Sequence, residues 1–315
     1  MTSHPRSLST IQNADIGLPR WVTRQNAQSA ENTRFFAGAA VMKLDLMLQG
    51  ADKGFPAALL SDRLALGAAL ACLKFEGRQD TEQALRDAVC LARDDEALGP
   101  GGEAFAFWRR GARIDLRSGD WADRLVRLLP ERQRETVVMA DLIAGGADSL
   151  LGWVAEVVER ALKTHPRQEA MALMLGDCVL ARSLGWPHPV PLLAAHMTRR
   201  DLRAMSIRQQ DASEVVGCAM VNGSDTALRL GDQLNRQASR LREMEPKLRN
   251  RSASQAIEVF LTHDAVSPSG MLSPVIRGTA TSMTDRAARR LCDRLVDLGV
   301  VRELTGRATF RLYGL

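Results

Sequence analysis

The chain has 315 residues, 45% apolar and 25% charged, a mixture that excludes a fibrous or wholly disordered polypeptide. At about 150 residues per domain there is room for two domains. Aromatic residues make up only 4%, and the abundance of Ala, Leu and Arg favours helices over strands.

The net charge of +5 is unevenly spread. Residues 1–198 hold 23 Lys and Arg against 24 Asp and Glu, a net of −1, whereas residues 199–315 hold 19 against 13, a net of +6. A basic end on a neutral body points to a polyanion or an acidic partner. The same excess is also what solvation of arginine-rich helix faces produces. Cys72, Cys90, Cys178, Cys218 and Cys292 are odd in number, widely spaced and without a C-x-x-C pair, so they read as reduced thiols of a cytoplasmic protein. Neither a signal peptide nor a membrane-spanning run of eighteen apolar residues is expected.

Residues 1–29 lack periodicity and read as a flexible arm. From Glu31 to Gly50 apolar residues recur at three- and four-residue steps, the period of an amphipathic helix. Similar runs cover Pro56 to Phe75 and a segment from Thr81. Gly99 to Gly102 then reads as a loop. Further helices are predicted at Glu103 to Ile114, Asp120 to Leu129, Glu131 to Ile143, Ala147 to Leu162 and Arg167 to Leu184. The alternating prolines Pro187, Pro189 and Pro191 form a rigid turn. Helices at Val190 to Met197, Ala212 to Met220 and Asp225 to Glu245 complete the pattern. The fold class is therefore mainly all-α, with an α-helical bundle at 30–246 and a boundary at Glu245-Pro246-Lys247.

Beyond that boundary the pattern changes. Ser252 to His263 forms a short helix, and the segment Ala265 to Thr281 with Pro268, Gly270, Pro274 and Gly278 has room for one helical turn. Ser282-Met283-Thr284-Asp285 reads as a capping box that opens a helix ending at Gly299. After Gly299 the period becomes two, and a hairpin is predicted from Val300 to Tyr313 around Thr305-Gly306-Arg307. Helix, tight segment, capped helix, hairpin is the order of a winged helix-turn-helix, assigned to residues 247–315.

In such a module the capped helix enters the major groove and the hairpin tip reaches backbone or minor groove. Thr284, Arg286, Arg289, Arg290 and Arg294 on the helix, with Arg307 and Arg311 on the hairpin, are the candidate DNA contacts, because a guanidinium can grip guanine in bidentate fashion or hold phosphate. Against this stand Asp293 and Asp297 on the same helix face, and the use of winged helices as protein-association modules. The basic stretch Arg236 to Arg251 either tracks phosphate or solvates a helix.

Three stretches resemble the domain of unknown function 1403 family of plasmid and mobile-element proteins. They are Phe36-Ala37-Gly38-Ala39-Ala40, the run from Leu180 through Trp186-Pro187 to Ala194, and the tail from Asp285 through Arg302-Glu303-Leu304-Thr305-Gly306-Arg307 to Phe310-Arg311-Leu312-Tyr313. That resemblance implies no activity and no functional residue. The tail is also similar to the C-terminal winged helix of Fic-family proteins, whose catalytic loop, beginning His-Pro-Phe, is missing here.

No catalytic signature emerges. There is no H-E-x-x-H, no G-x-S-x-G, and no phosphate-binding G-x-x-x-x-G-K-[ST]. A pocket from Asp177, Cys178, His188 and His196 is conceivable, though buried polar groups satisfied by backbone are the commoner case. Trp108, Trp121, Trp153 and Trp186 read as core residues. The expectation is a non-enzymatic, cytoplasmic DNA-binding protein with no cofactor or metal and no membrane association. Duplex DNA would be its partner, and a homodimer or protein contact would form through the helical domain. The alternatives are an adaptor using the winged helix as an association surface and, after that, a helical enzyme of unrecognised class.

Overall fold

A computed structural model of the chain describes residues 17–23, 30–50, 54–92, 96–146, 149–207, 211–248, 252–307 and 309–315. Two helices lie at its centre because apolar residues occupy most positions around them, with few charges between. In α3 (Ala57–Phe75) buried positions run from Leu59 to Phe75. In α10 (Glu169–Ser183) every residue from Met171 to Ala181 is buried. A helix that is apolar all round has no solvent face to offer.

Amphipathic helices surround this pair. α5 (Gly99–Gly111) lies on α3, α9 (Leu150–Thr164) lies on α10, and α2 (Ala30–Gln49) runs along α12 (Ala212–Met244). The shorter helices α4 (Glu82–Cys90), α6 (Trp121–Leu128), α7 (Glu131–Arg134), α8 (Met139–Ile143) and α11 (Arg199–Ser206) fill the perimeter. Thr81, Ser149 and Thr198 cap α4, α9 and α11 by accepting a backbone N–H, the service expected of such residues at a helix start. Trp108, Trp121 and Trp186 are buried in one continuous apolar core. All five cysteines are free thiols.

The architecture is mainly helical, with a small two-stranded antiparallel sheet near the C-terminus. Several elements differ from the sequence expectation, and each difference has a packing cause. Gly99 to Gly102 is the first turn of α5 and not a loop. A Cβ at Gly102 would come within 3.0 Å of the Ala88 Cβ, so this glycine lets α5 lie close against α4. Asn222-Gly223-Ser224 does not break the chain, and α12 runs unbroken for 33 residues. There a Gly223 Cβ would stand 2.4 Å from the Leu192 carbonyl oxygen, so the glycine serves close approach and no turn.

Val190 to Met197 is not a helix beyond a single 3-10 turn at Ala194–His196. The prolines extend it, and the Leu192 N–H is taken by Asp177 Oδ1 at 3.2 Å instead of a helical carbonyl. The predicted helix over 131–143 divides into α7 and α8 around Thr136-Val137-Val138, a β-branched run. Residues 1–16 and 24–29 of the predicted arm lie outside the described residues. The described part, 17–23, forms α1 (Arg20–Thr23) and buries Leu18 and Val22, with the Leu18 N–H donated to Asp225 Oδ1 at 2.8 Å.

Candidate nucleic-acid interface

The C-terminal region starts where α12 ends at Met244 and a 3-10 turn follows at Glu245–Lys247. α13 (Ala253–Thr262) buries Ala256, Ile257, Val259, Phe260 and Leu261. Next comes a single wide turn at Pro268–Leu272, and then α14 (Asp285–Asp297). The cap of α14 is Thr284, whose Oγ1 accepts the Ala287 N–H at 3.3 Å. The cap is therefore a single bond two residues beyond Ser282 and not the capping box expected there, because Ser282 is engaged in an isolated bridge with Val275.

Ala288, Leu291, Cys292 and Leu295 point inward on α14 and pack on the Pro268–Leu272 turn and on β1 (Arg302–Glu303). Burial pushes the Cys292 thiol up to about 12. The strand β1 pairs with β2 (Tyr313–Gly314), Arg302 opposite Gly314 and Glu303 opposite Tyr313. These strands are much shorter than the alternating pattern suggested. On its other edge Tyr313 exchanges two backbone hydrogen bonds with Val266, at 2.8 and 2.9 Å. Residues 303, 313 and 266 thus lie side by side, and the Pro268–Leu272 turn and α14 follow Val266 in the chain.

The opposite face of α14 is open. Arg286, Arg289, Arg290 and Arg294 are exposed, together with Asp293 and Asp297. Arg289 pairs with Asp285 at 2.7 Å, an exposed contact of small energetic value. Arg286, Arg290 and Arg294 have no ion-pair partner among the described residues. Helical periodicity brings these four arginines to one surface, with the acidic pair toward its C-terminal end.

Arg307 and Arg311 are placed differently. Arg307 pairs with Asp87 of α4, and the Thr305 carbonyl accepts from Gln83 Nε2 at 2.8 Å, so the hairpin tip rests on the helical body. Arg311 Nε donates to the Arg307 carbonyl at 3.0 Å, and its Nη1 lies 3.7 Å from Glu303. The tip residue Ala308 lies outside the described residues. Arg277 and Arg302 are also exposed in this region and were not singled out from sequence; Arg277 falls in a segment without periodicity and Arg302 in a two-residue strand. Of the basic stretch 236–251, Arg236 pairs with Asp232 at 2.5 Å and Arg242 donates to the Gly54 carbonyl at 2.6 Å; Arg249 and Arg251 lie outside the described residues.

A buried ion cluster joins this region to the bundle. Asp264, only 3% exposed, accepts from Arg86 Nε at 2.6 Å and also pairs with Arg63. Arg63 Nη2 in turn donates to the Leu315 carbonyl at 2.8 Å. Elsewhere, the residues weighed as a pocket are engaged separately. Asp177 is held by the Leu192 backbone, and burial keeps its carboxyl well above the usual range. His188 Nδ1 lies 3.1 Å from the Ile114 carbonyl. Among the described residues no group of three His, Cys, Asp or Glu is placed to hold a metal ion, and no helix is long and apolar enough to cross a membrane.

No curated protein matches the chain. The family model described as a protein of unknown function, DUF1403, spans residues 6–315, and the chain belongs to that family.

Proposed function

We propose that the C-terminal region is a winged helix that binds duplex DNA through α14, making this a non-enzymatic regulatory or maintenance protein, cytoplasmic and associated with a mobile element. The observation that carries the reading is the open face of α14, where Arg286, Arg290 and Arg294 stand exposed without ion-pair partners among the described residues. The isolated bridge between Val266 and Tyr313 supports it further, since it brings the segment before the Pro268–Leu272 turn alongside the hairpin, as the order of a winged helix requires. Lone exposed guanidiniums near a capped N-terminus suit phosphate and base-edge contact, while Asp293 and Asp297 on the same face limit that contact to the N-terminal half of α14.

The test is an electrophoretic mobility shift on mixed-sequence duplex DNA over a salt series. Each lost phosphate contact lowers the slope of log K against log salt by about 0.9. Arg286→Ala with Arg290→Ala and Arg294→Ala should therefore flatten the slope by about 2 to 3 and weaken binding throughout. Retention of the parent slope refutes the assignment.

A second reading is a protein adaptor using the same face. It is favoured by the hairpin tip being occupied by Asp87 and Gln83 of α4, which leaves the wing less free for DNA than α14. Capture of a protein that survives nuclease treatment and is lost with the triple alanine variant would select it.

A further inference from the structure

We propose that the outer face of α2 is the seam of a two-fold dimer, in which a second copy of this chain lays its own α2 antiparallel against it. The inference does not depend on DNA binding. Phe35, Ala39, Met42 and Leu46 follow steps of four, three and four, the spacing of a coiled-coil seam. Phe35, Met42 and Leu46 are 64%, 61% and 62% exposed, while the opposite side of α2, with Ala37, Ala40, Val41 and Leu44, is already buried. Trp21, 57% exposed, extends the patch through a tilted ring contact with Phe35, centroids 6.1 Å apart. A contiguous patch of this kind marks an interaction surface, whereas scattered exposed apolar residues do not.

The stripe is self-complementary in one direction only. An antiparallel copy sets Phe35 against the second Leu46 and Ala39 against the second Met42, so large meets large at the ends and small meets large at the centre. A parallel copy sets Ala39 on Ala39 and leaves a gap. The charges select the same arrangement. Arg34 and Asp45 flank the stripe on one side, and antiparallel packing brings each Arg34 within about one helical turn of the other copy's Asp45. Parallel packing would put the two Arg34 and Asp45 flanks on opposite sides of the seam, out of each other's reach. Arg34 has no ion-pair partner among the described residues, and Asp45 is held ready by Trp186 Nε1 at 2.7 Å and Gln49 Nε2 at 2.8 Å, both on Oδ1. Between these two charges Gly38 leaves open a cleft of about 380 Å³ with apolar walls from Leu150 and Leu184, which receives the flank of the second helix.

Sedimentation equilibrium of the full chain should give twice 34.5 kDa at micromolar concentration. Met42→Glu should raise the dimer dissociation constant about 100-fold, a factor of ten for each of the two equivalent sites. Its circular dichroism should stay unchanged, because the side chain is exposed in the monomer, while its unfolding midpoint should lose the dependence on protein concentration that dimerisation gives the parent. Under mild oxidation Phe35→Cys combined with Leu46→Cys should give a disulfide-linked dimer, while either substitution alone should not; the two positions are about 16 Å apart on one helix and cannot bridge within it. A monomer at all concentrations, as would result if another segment of the chain covered this face, overturns the proposal. So does a dimer indifferent to Met42→Glu, or cross-linking by the single cysteine variants.

Discussion

Replacing Asp264 tests how the C-terminal region is held to the bundle. Its carboxylate is 3% exposed and stands between the side chains of Arg63 and Arg86, which are 11% and 6% exposed. Asp264→Ala removes the only buried anion of this cluster and leaves two guanidiniums in a desolvated site. Breaking a buried pair in this way costs about 3–5 kcal/mol. The upper end applies here, since Arg86 retains only the half-exposed Glu82 at 2.9 Å and Arg63 only the Leu315 carbonyl. Against a total stability of about 5–15 kcal/mol this is a severe loss.

The counterpart is Arg63→Met and Arg86→Met combined with Asp264→Leu. Removing all three charges restores a packed apolar site and should cost less than about 1 kcal/mol, or stabilise. Urea unfolding at pH 7, with the slope against urea held common, measures both, and hydrogen exchange of residues 302–315 should show faster exchange in Asp264→Ala alone. An alanine variant within about 1 kcal/mol of the parent, or a triple variant as unstable as the single one, would sink the argument that desolvation dominates here.

Gly223→Ala should destabilise by about 1–3 kcal/mol, seen as a lowered thermal midpoint, because its Cβ would press on the Leu192 carbonyl and overpacking has that cost. Asp177→Asn should leave the unfolding midpoint near or above the parent at pH 8, since burial already disfavours the charged form; Asp177→Ala should cost about 1–3 kcal/mol by stranding the Leu192 N–H. Burial, reinforced by Arg109, lowers the His263 imidazole to about 4. Its unfolded form takes up a proton first, so stability is complete above about 6.5 and declines as pH falls toward 4. His263→Gln should flatten that part of the midpoint-against-pH curve relative to the parent, and an unchanged difference between the two refutes it.

Helix periodicity revealed most of the bundle because an amphipathic stripe is a local property. At two of the places where it misled, glycine was the reason. Gly99 to Gly102 and Gly223 have the composition of turns, but their missing side chains admit a neighbouring helix or carbonyl, and the identity of that neighbour is a tertiary fact. Proline behaved locally at Pro187, Pro189 and Pro191, yet the one-turn outcome at Ala194–His196 also required Asp177, fifteen residues upstream of Leu192. In the C-terminal region the α14 arginines and their shared face were legible from spacing alone. The attachment of Arg307 to Asp87 was not, since 220 positions separate the partners and nothing in either local pattern links them. The exposed stripe of α2 was hidden for the opposite reason: periodicity reports amphipathicity without saying which side is covered.

α12 gives the molecule a fixed yardstick. Its 33 residues extend about 50 Å as one uninterrupted ladder, with α1 and α2 alongside and α13 packed near its end. A strut of that length without a hinge transmits displacement instead of absorbing it. Whatever seats on α2 and whatever seats on the C-terminal region are consequently held at a set spacing and bearing by a single secondary-structure element.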